Sequence, residues 1–225
     1  MREIVLDTET TGLDPLMGHR VAEIGCVELH NYIPTGKTFH VYLNPERDMP
    51  TEAAMVHGLT DEFLADKPVF AEKADEFLNF IGDAPLVIHN ATFDMNFINA
   101  ELTRCGFPRL PMDRAIDTVL MARKKFPGAP ASLDALCKRF NVDLSTRKLH
   151  GALLDSQLLA EVYLELRGGR QTGLEISAVD SVVTEEVQQR LREHRAPRPH
   201  GASAEEIAAH EAFLLTLKEP LWKRA

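Results

Sequence analysis

Asp7 and Glu9 stand one residue apart at the end of the apolar run Ile4-Val5-Leu6, just before Thr10-Thr11-Gly12. The run reads as a buried strand and the Thr-Thr-Gly as its exit turn. Strand side chains alternate faces, so the two carboxylates point one way and Thr8 the other. Two acids crowded on one side of a buried strand end repel each other unless one keeps its proton or a cation lies between them. Hard divalent cations take oxygen ligands, and Mg²⁺ is commonly held by one or two carboxylates plus substrate phosphate. The first reading is therefore a metal site, set against the plainer one of a solvated turn.

Two further acids belong with that pair. Asp94 falls in a helix expected over Ala91 to Arg104, where Phe97 and Ile98 project within about 60° of it and Leu102 lies near the edge of that sector. Asp155 leads a strongly apolar helix to about Leu166, and Ala152, Leu158, Leu159, Val162 and Leu166 all project within about 60° of it. An unpaired acid in an apolar stripe costs several kcal/mol, so a cation is its natural partner. His150, if helical, would sit about 140° from Asp155. It is expected instead in the loop before the helix, where Gly151 supplies freedom to swing.

These groups need a scaffold to hold them. Val21 to Ile33 and Gly36 to Leu43 are rich in strand-forming residues and read as a hairpin turning at Pro34-Thr35-Gly36. Residues 51 to 81 read as broken helix, punctuated by Pro50, Gly58 and Pro68. Leu86-Val87-Ile88 is a second short buried strand, after which Asn90 can cap the Asp94 helix. Ile116 and Thr118 flank Asp117 in a short strand, and Ser132 opens a helix to about Phe140. Strands alternating with helices make an α/β protein.

The chain has 225 residues and a net charge of −9. Residues 1–167 hold 17 Lys/Arg against 25 Asp/Glu, a net of −8. Such a surface cannot grip a long duplex through many phosphate contacts, so any action on nucleic acid touches few nucleotides or is delivered by a partner. No apolar run approaches the length of a membrane span, and Met1-Arg2-Glu3 lacks signal-peptide features, so a soluble, cytoplasmic protein without a membrane partner is expected. Cys26, Cys105 and Cys137 are odd in number and widely spaced, which reads as reduced thiols.

Asp7-x-Glu9, Asp94 after a strand, and His150-x-Ala-x-x-Asp155 together resemble the three motifs of the DEDDh 3′-to-5′ exonucleases. The likeness is closest to the family's proofreading branch, the exonuclease subunits of bacterial replicative polymerases. It is carried by residues 4–12, Phe39-His40-Val41-Tyr42-Leu43, Val56-His57-Gly58, Val87-Ile88-His89-Asn90-Ala91, residues 132–137 and residues 150–155. It covers about residues 2–168 and resumes at the extreme C-terminus. It implies an RNase H-like fold, a five-stranded mixed sheet flanked by helices. It implies that Asp7, Glu9, Asp94 and Asp155 hold two Mg²⁺ or Mn²⁺ ions, with His150 as general base. Thr10, Glu52, His57 and Phe93, together with Asp7, Glu9 and Asp155, are implied to contact the terminal nucleotide of a DNA 3′ end, single-stranded or mispaired. The implied reaction releases nucleoside 5′-monophosphates. A free-standing DNase, an RNA-trimming relative and a non-cutting polymerase subunit are the alternatives.

The exonuclease domain is expected over 1–168, with a linker over 169–202 and a helical tail over 203–225. Within the linker, Gln171 to Ile176 resembles a sliding-clamp-binding motif, with Ile176 where an aromatic is usual. A helix is possible over Thr184 to His194. Ser203-Ala204-Glu205-Glu206 is a capping-box signature opening an amphipathic helix with Ile207, Leu214 and Leu217, followed by Leu221-Trp222. A helix beyond a linker has no core of its own to cover and reads as a hook for the polymerase subunit. Tethering raises effective concentration toward millimolar, which lets an acidic enzyme work on DNA it holds weakly.

Overall fold

The computed structural model of the chain describes residues 1–145, 149–169 and 201–217. These fall into two units, one within Met1–Leu174 and the other within Glu175–Ala225. The first unit is built on a five-stranded sheet in the order β3-β2-β1-β4-β5. β1 (Arg2–Thr10) pairs antiparallel with β2 (Val21–His30), and β2 antiparallel with β3 (Ile33–Tyr42). β4 (Leu86–Ile88) runs parallel to β1, and β5 (Ala115–Asp117) parallel to β4. The sheet is therefore mixed, as the resemblance implies.

Strand alternation divides the core into two layers. Ile4 and Leu6 pack with Phe77, Phe97 and Ile98 beneath α3 (Phe70–Ile81) and α4 (Ala91–Arg104). Val5, Val27 and Val87 face the other way, onto Leu136, Leu159 and Val162 of α6 (Leu133–Phe140) and α7 (Ala152–Leu166). Ile4, Val5 and Leu6 are wholly buried. Each such side chain contributes about 1.5–3 kcal/mol. β1, sandwiched between both layers, thus fixes where its two acids emerge. The short helices α1 (Thr51–His57) and α2 (Asp61–Leu64) precede α3.

The structure moves several sequence expectations. The hairpin turns at Asn31-Tyr32, whose φ angles are 51° and 69°, and not at Pro34-Thr35-Gly36. Two successive positive φ values make a turn whose twist matches that of the flanking strands. Pro34 instead pairs with Leu29 inside β3, tolerated because β3 is the sheet edge. Asn90 takes the left-handed conformation and makes no side-chain cap bond to α4. Its place is taken by Asp117, whose Oδ2 accepts from Ala91 N–H at 3.1 Å and whose Oδ1 caps α5 (Thr118–Lys125) at Val119 and Leu120. That second duty ends β5 at Asp117 and puts Thr118 in a helix.

In the second unit, α8 (Ala204–Thr216) carries the capping box formed by Ser203 and Glu206. Ile207, Phe213 and Leu215 on it are exposed. The clamp-like motif at 171–176, the possible helix at 184–194 and Leu221-Trp222 lie outside the described residues. Among the described residues, no helix is long and apolar enough to cross a membrane. Cys26 and Cys137 are buried and Cys105 half-buried, all three as thiols.

Candidate active site

The site begins with the β1–β2 register. Asp7 lies opposite Gly25 and Glu9 opposite Glu23, so these positions share one face of the sheet. α7 crosses that face at Gly25. A Cβ placed there would come within 2.2 Å of the Ala152 and Leu153 backbone. The Ser156 hydroxyl donates to the Gly25 carbonyl at 2.9 Å. A bare backbone on β2 thus lets the first turn of α7 approach the strand closely, and brings Asp155 to the side of the sheet where Asp7 and Glu9 emerge.

Asp94 arrives from the other layer. Thr8, pointing away from its acidic neighbours, donates to Asp94 Oδ1 from its backbone N–H at 3.0 Å and its hydroxyl at 2.7 Å. One carboxylate oxygen is therefore used to pin α4 to β1. Asp94 and Asp155 are each only 3% exposed. This is the inward setting that their apolar neighbours on the helices predict.

His150 precedes α7 in the loop, where the sequence places it. Its Nδ1 lies 3.1 Å from Asp155 Oδ2, and its N–H donates to the Val56 carbonyl at 3.2 Å. Gly151 is in ordinary extended backbone (φ −161°, ψ 126°), so the swing expected of it is not demanded by the conformation. Ligand atoms of Glu9, His150 and Asp155 all lie within 4.8 Å of one another.

Electrostatics ties the acids together. Asp7 has its pKa raised well above the usual aspartate value, first by desolvation and then by Asp94, Glu9, Asp155 and Glu23. Asp94 is pushed up to about 7, again chiefly by burial, with the Thr8 bonds pulling the other way. Acids whose pKa values are raised in this way are poorly solvated and mutually repelled. Among the described residues, Glu9, Asp155 and His150 are the ones whose ligand atoms gather this closely, while Asp7 joins them, and Asp94, through charge. Carboxylate oxygens with an imidazole beside them fit a divalent cation.

A pH dependence follows. Without metal, the folded state keeps protons on Asp7 and Asp94 that the unfolded chain releases near pH about 4. Stability contributed by these groups is therefore lost as pH rises from about 4 toward about 7. A cation removes the repulsion, so the rise in melting temperature on adding Mg²⁺ is expected to be larger at pH 7 than at pH 5. Equal rises in scanning calorimetry at the two pH values would contradict this.

Beside the acids lies a cavity of about 550 Å³ whose lining includes Glu9, Thr10, Glu52, His57 and Phe93. His57 is buried, and its Nδ1 accepts from Leu59 N–H at 3.1 Å. Its Nε2 therefore carries the ring proton and, among the described residues, has no hydrogen-bond partner. Burial lowers its pKa, so the ring is neutral near pH 7.

Sequence reading passed over Thr8, Glu23 and Gly25. Glu23 is 3% exposed and bound by His40 Nε2 at 2.7 Å. The alternation that gave Asp7 and Glu9 their face also marks Thr8 as pointing away from it. Nothing local marks Gly25 or Glu23, because their importance comes from pairing with β1 and from contact with a helix about 130 residues on.

The exonuclease family pattern matches residues 4–163. This chain belongs to that exonuclease family. Among its relatives, the DNA polymerase III subunit epsilon of Rickettsia felis is 50% identical over 224 residues, spanning 96% of this chain and 97% of that protein. The subunit of the same name from Escherichia coli K12 is 48% identical over 224 residues, spanning 95% and 92%. Among solved structures, exonuclease X in complex with 5′-overhanging duplex DNA matches with a TM-score of 0.57 at 25% identity, over 73% of this chain and 90% of that one. The nuclease domain of the DEDDh member 3′hExo, bound to rAMP, matches with a TM-score of 0.61 at 18% identity, over 73% and 90%. The exonuclease fold of the family is thus the RNase H-like sheet described above.

Proposed function

We propose that this exonuclease proofreads DNA synthesis from 3′ to 5′ within a bacterial DNA polymerase III, removing mispaired terminal nucleotides as 5′-monophosphates. The observation that carries the reading is the cluster of Glu9, Asp155 and His150, whose ligand atoms lie within 4.8 Å of one another, with Asp7 feeling the charges of Asp94, Glu9 and Asp155 and a cavity alongside.

In this reading, Asp7, Glu9, Asp94 and Asp155 hold two Mg²⁺ or Mn²⁺ ions, which when bound neutralise charge on the leaving oxygen and make water more acidic. The chain's own groups do the rest. With Nδ1 turned to Asp155, His150 takes the proton of the attacking water at Nε2, a role worth typically about 10² to 10⁴ in rate. Asp155 orients that ring. His57 walls the cavity for the terminal nucleotide, Phe93 offers a ring for its base, and Thr10 and Glu52 supply polar contacts. The pocket takes one terminal nucleotide, which favours a frayed or mispaired end that costs little to unstack.

Mg²⁺-dependent mononucleotide release from a primer with a mispaired 3′ terminus tests the activity. Excision is expected to exceed that of a paired terminus and of a matched RNA strand, and to vanish in Asp155→Asn. A preference for RNA would replace the proofreading reading with RNA trimming, and undiminished release by Asp155→Asn would remove the metal assignment.

The acidic surface calls for delivery to DNA. The exposed Ile207, Phe213 and Leu215 of α8 support residues 203–225 as the segment that docks on the DNA polymerase III alpha subunit. Gln171–Ile176 remains, on sequence alone, a weak contact for the sliding clamp. A cytoplasmic, replisome-bound protein follows. Deleting residues 203–225 is expected to leave excision of single-stranded DNA unchanged while abolishing co-purification with the polymerase subunit; undiminished co-purification refutes the assignment.

A further inference from the structure

We infer that Leu149 is a positioning residue for His150, seating the loop that carries the imidazole on the wall of the nucleotide cavity. The inference rests on His150 acting as the base, and deepens that reading by naming what fixes its ring. His150 lies outside α7, joined to it through Gly151, beside which a Cβ would meet nothing within 4 Å. Position 151 therefore offers no side chain to hold the loop. Among the described residues, contacts across the sequence do so. The His150 N–H is bonded to the Val56 carbonyl at the end of α1 at 3.2 Å. One residue earlier, Leu149 Cδ1 rests so close to Gly58 that a Cβ on that glycine would lie 2.7 Å from it.

Gly58 is the C-cap of α1, in left-handed conformation at φ 76°, with its N–H returned to the Ala54 carbonyl. The left-handed turn and the missing side chain together leave a flat surface that receives the leucine. α1 is also a cavity wall, through Glu52, Ala53, Val56 and His57. One short helix thus lines the nucleotide pocket with one part and seats the base with its end. Leu149 itself is 52% exposed. Half-exposed leucine adds little to the core, so its position against Gly58 is explained by what it holds in place.

The test uses the full chain and four variants: Leu149→Ala, Leu149→Met, His150→Ala and the double Leu149→Ala/His150→Ala. Leu149→Ala is expected to lower kcat by about 10- to 100-fold, the scale of a small misplacement of a reacting group. KM, the melting temperature and the Mg²⁺-induced rise in it should stay as in the parent. Leu149→Met, which refills the contact, should recover most of the rate. The double variant should be no slower than His150→Ala, because a residue that acts only through the imidazole has nothing left to place. Parent-like kcat in Leu149→Ala, with His150→Ala slow, overturns this inference alone. A loss of melting temperature or of the Mg²⁺ response in Leu149→Ala, or an additive double variant, overturns it by showing a structural or separate role. Parent-like turnover in His150→Ala overturns the assignment of the base and this inference with it.

Discussion

Asp7→Asn is expected to abolish excision and, in metal-free buffer, to raise the melting temperature. The two effects share a cause. Asp7 sits where the charges of Asp94, Glu9, Asp155 and Glu23 meet, and desolvation adds to their repulsion. An amide keeps the shape while being neutral at every pH, so folding no longer has to hold a proton there against the pull of neutral solvent. Each kcal/mol of repulsion relieved is worth about 2–4 °C in a chain of this size. The same change deletes one of the anionic ligands proposed for the metal. Groups that merely support metal ligands already cost about 10- to 100-fold when lost, so a ligand itself should cost more. The Mg²⁺-induced rise in melting temperature should shrink with it. Calorimetry with chelator and with Mg²⁺, beside initial rates on single-stranded DNA, reads all three. A variant that melts lower without metal, or one that still turns over at the parent rate, would show that Asp7 is not the centre of the acidic cluster.

Gly25→Ala carries the second large effect. The added Cβ would meet backbone, not the end of a flexible side chain, at 2.2 Å from Ala152 and Leu153. Neither β2, held between β1 and β3, nor α7, packed along both β1 and β2, can yield without losing contacts. Overpacking of this kind costs about 1–3 kcal/mol. The helix that must move carries Asp155 and is preceded by His150, so activity should fall by about 10²-fold even where the protein stays folded. Denaturant midpoints and excision rates measured on one preparation test both parts. A variant with unaltered midpoint and rate would mean that α7 does not rest on Gly25.

Much of this arrangement is legible in one dimension. A period of two puts Asp7 and Glu9 on one side of a strand, and the apolar residues around Asp94 and Asp155 show that those acids face inward. The same projection removes His150 from the helix, as the structure has it. Other features escape because their partners are far along the chain. Asn90 has the right type and place for a cap, yet Asp117, 27 residues later, takes the role because parallel pairing of β4 with β5 brings its carboxylate to the start of α4. Composition alone places the hairpin turn at Pro34-Thr35-Gly36. The edge position of β3 makes the proline harmless, and a compact turn at Asn31-Tyr32 serves instead.

The sequence by itself determined the kind of most elements, though not the helix that begins at Thr118, together with the direction in which its acids point and the motif order that resembles an exonuclease. Only the tertiary structure decided which groups come together: Glu9 and Asp155 gather with His150, and Asp7 lies within the charge of Asp94, Glu9 and Asp155. Alternation and helical period act over a few residues, whereas the meeting of β1, α4 and α7 depends on strand register, on Thr8 gripping Asp94 and on a glycine thin enough for a helix to rest against the sheet.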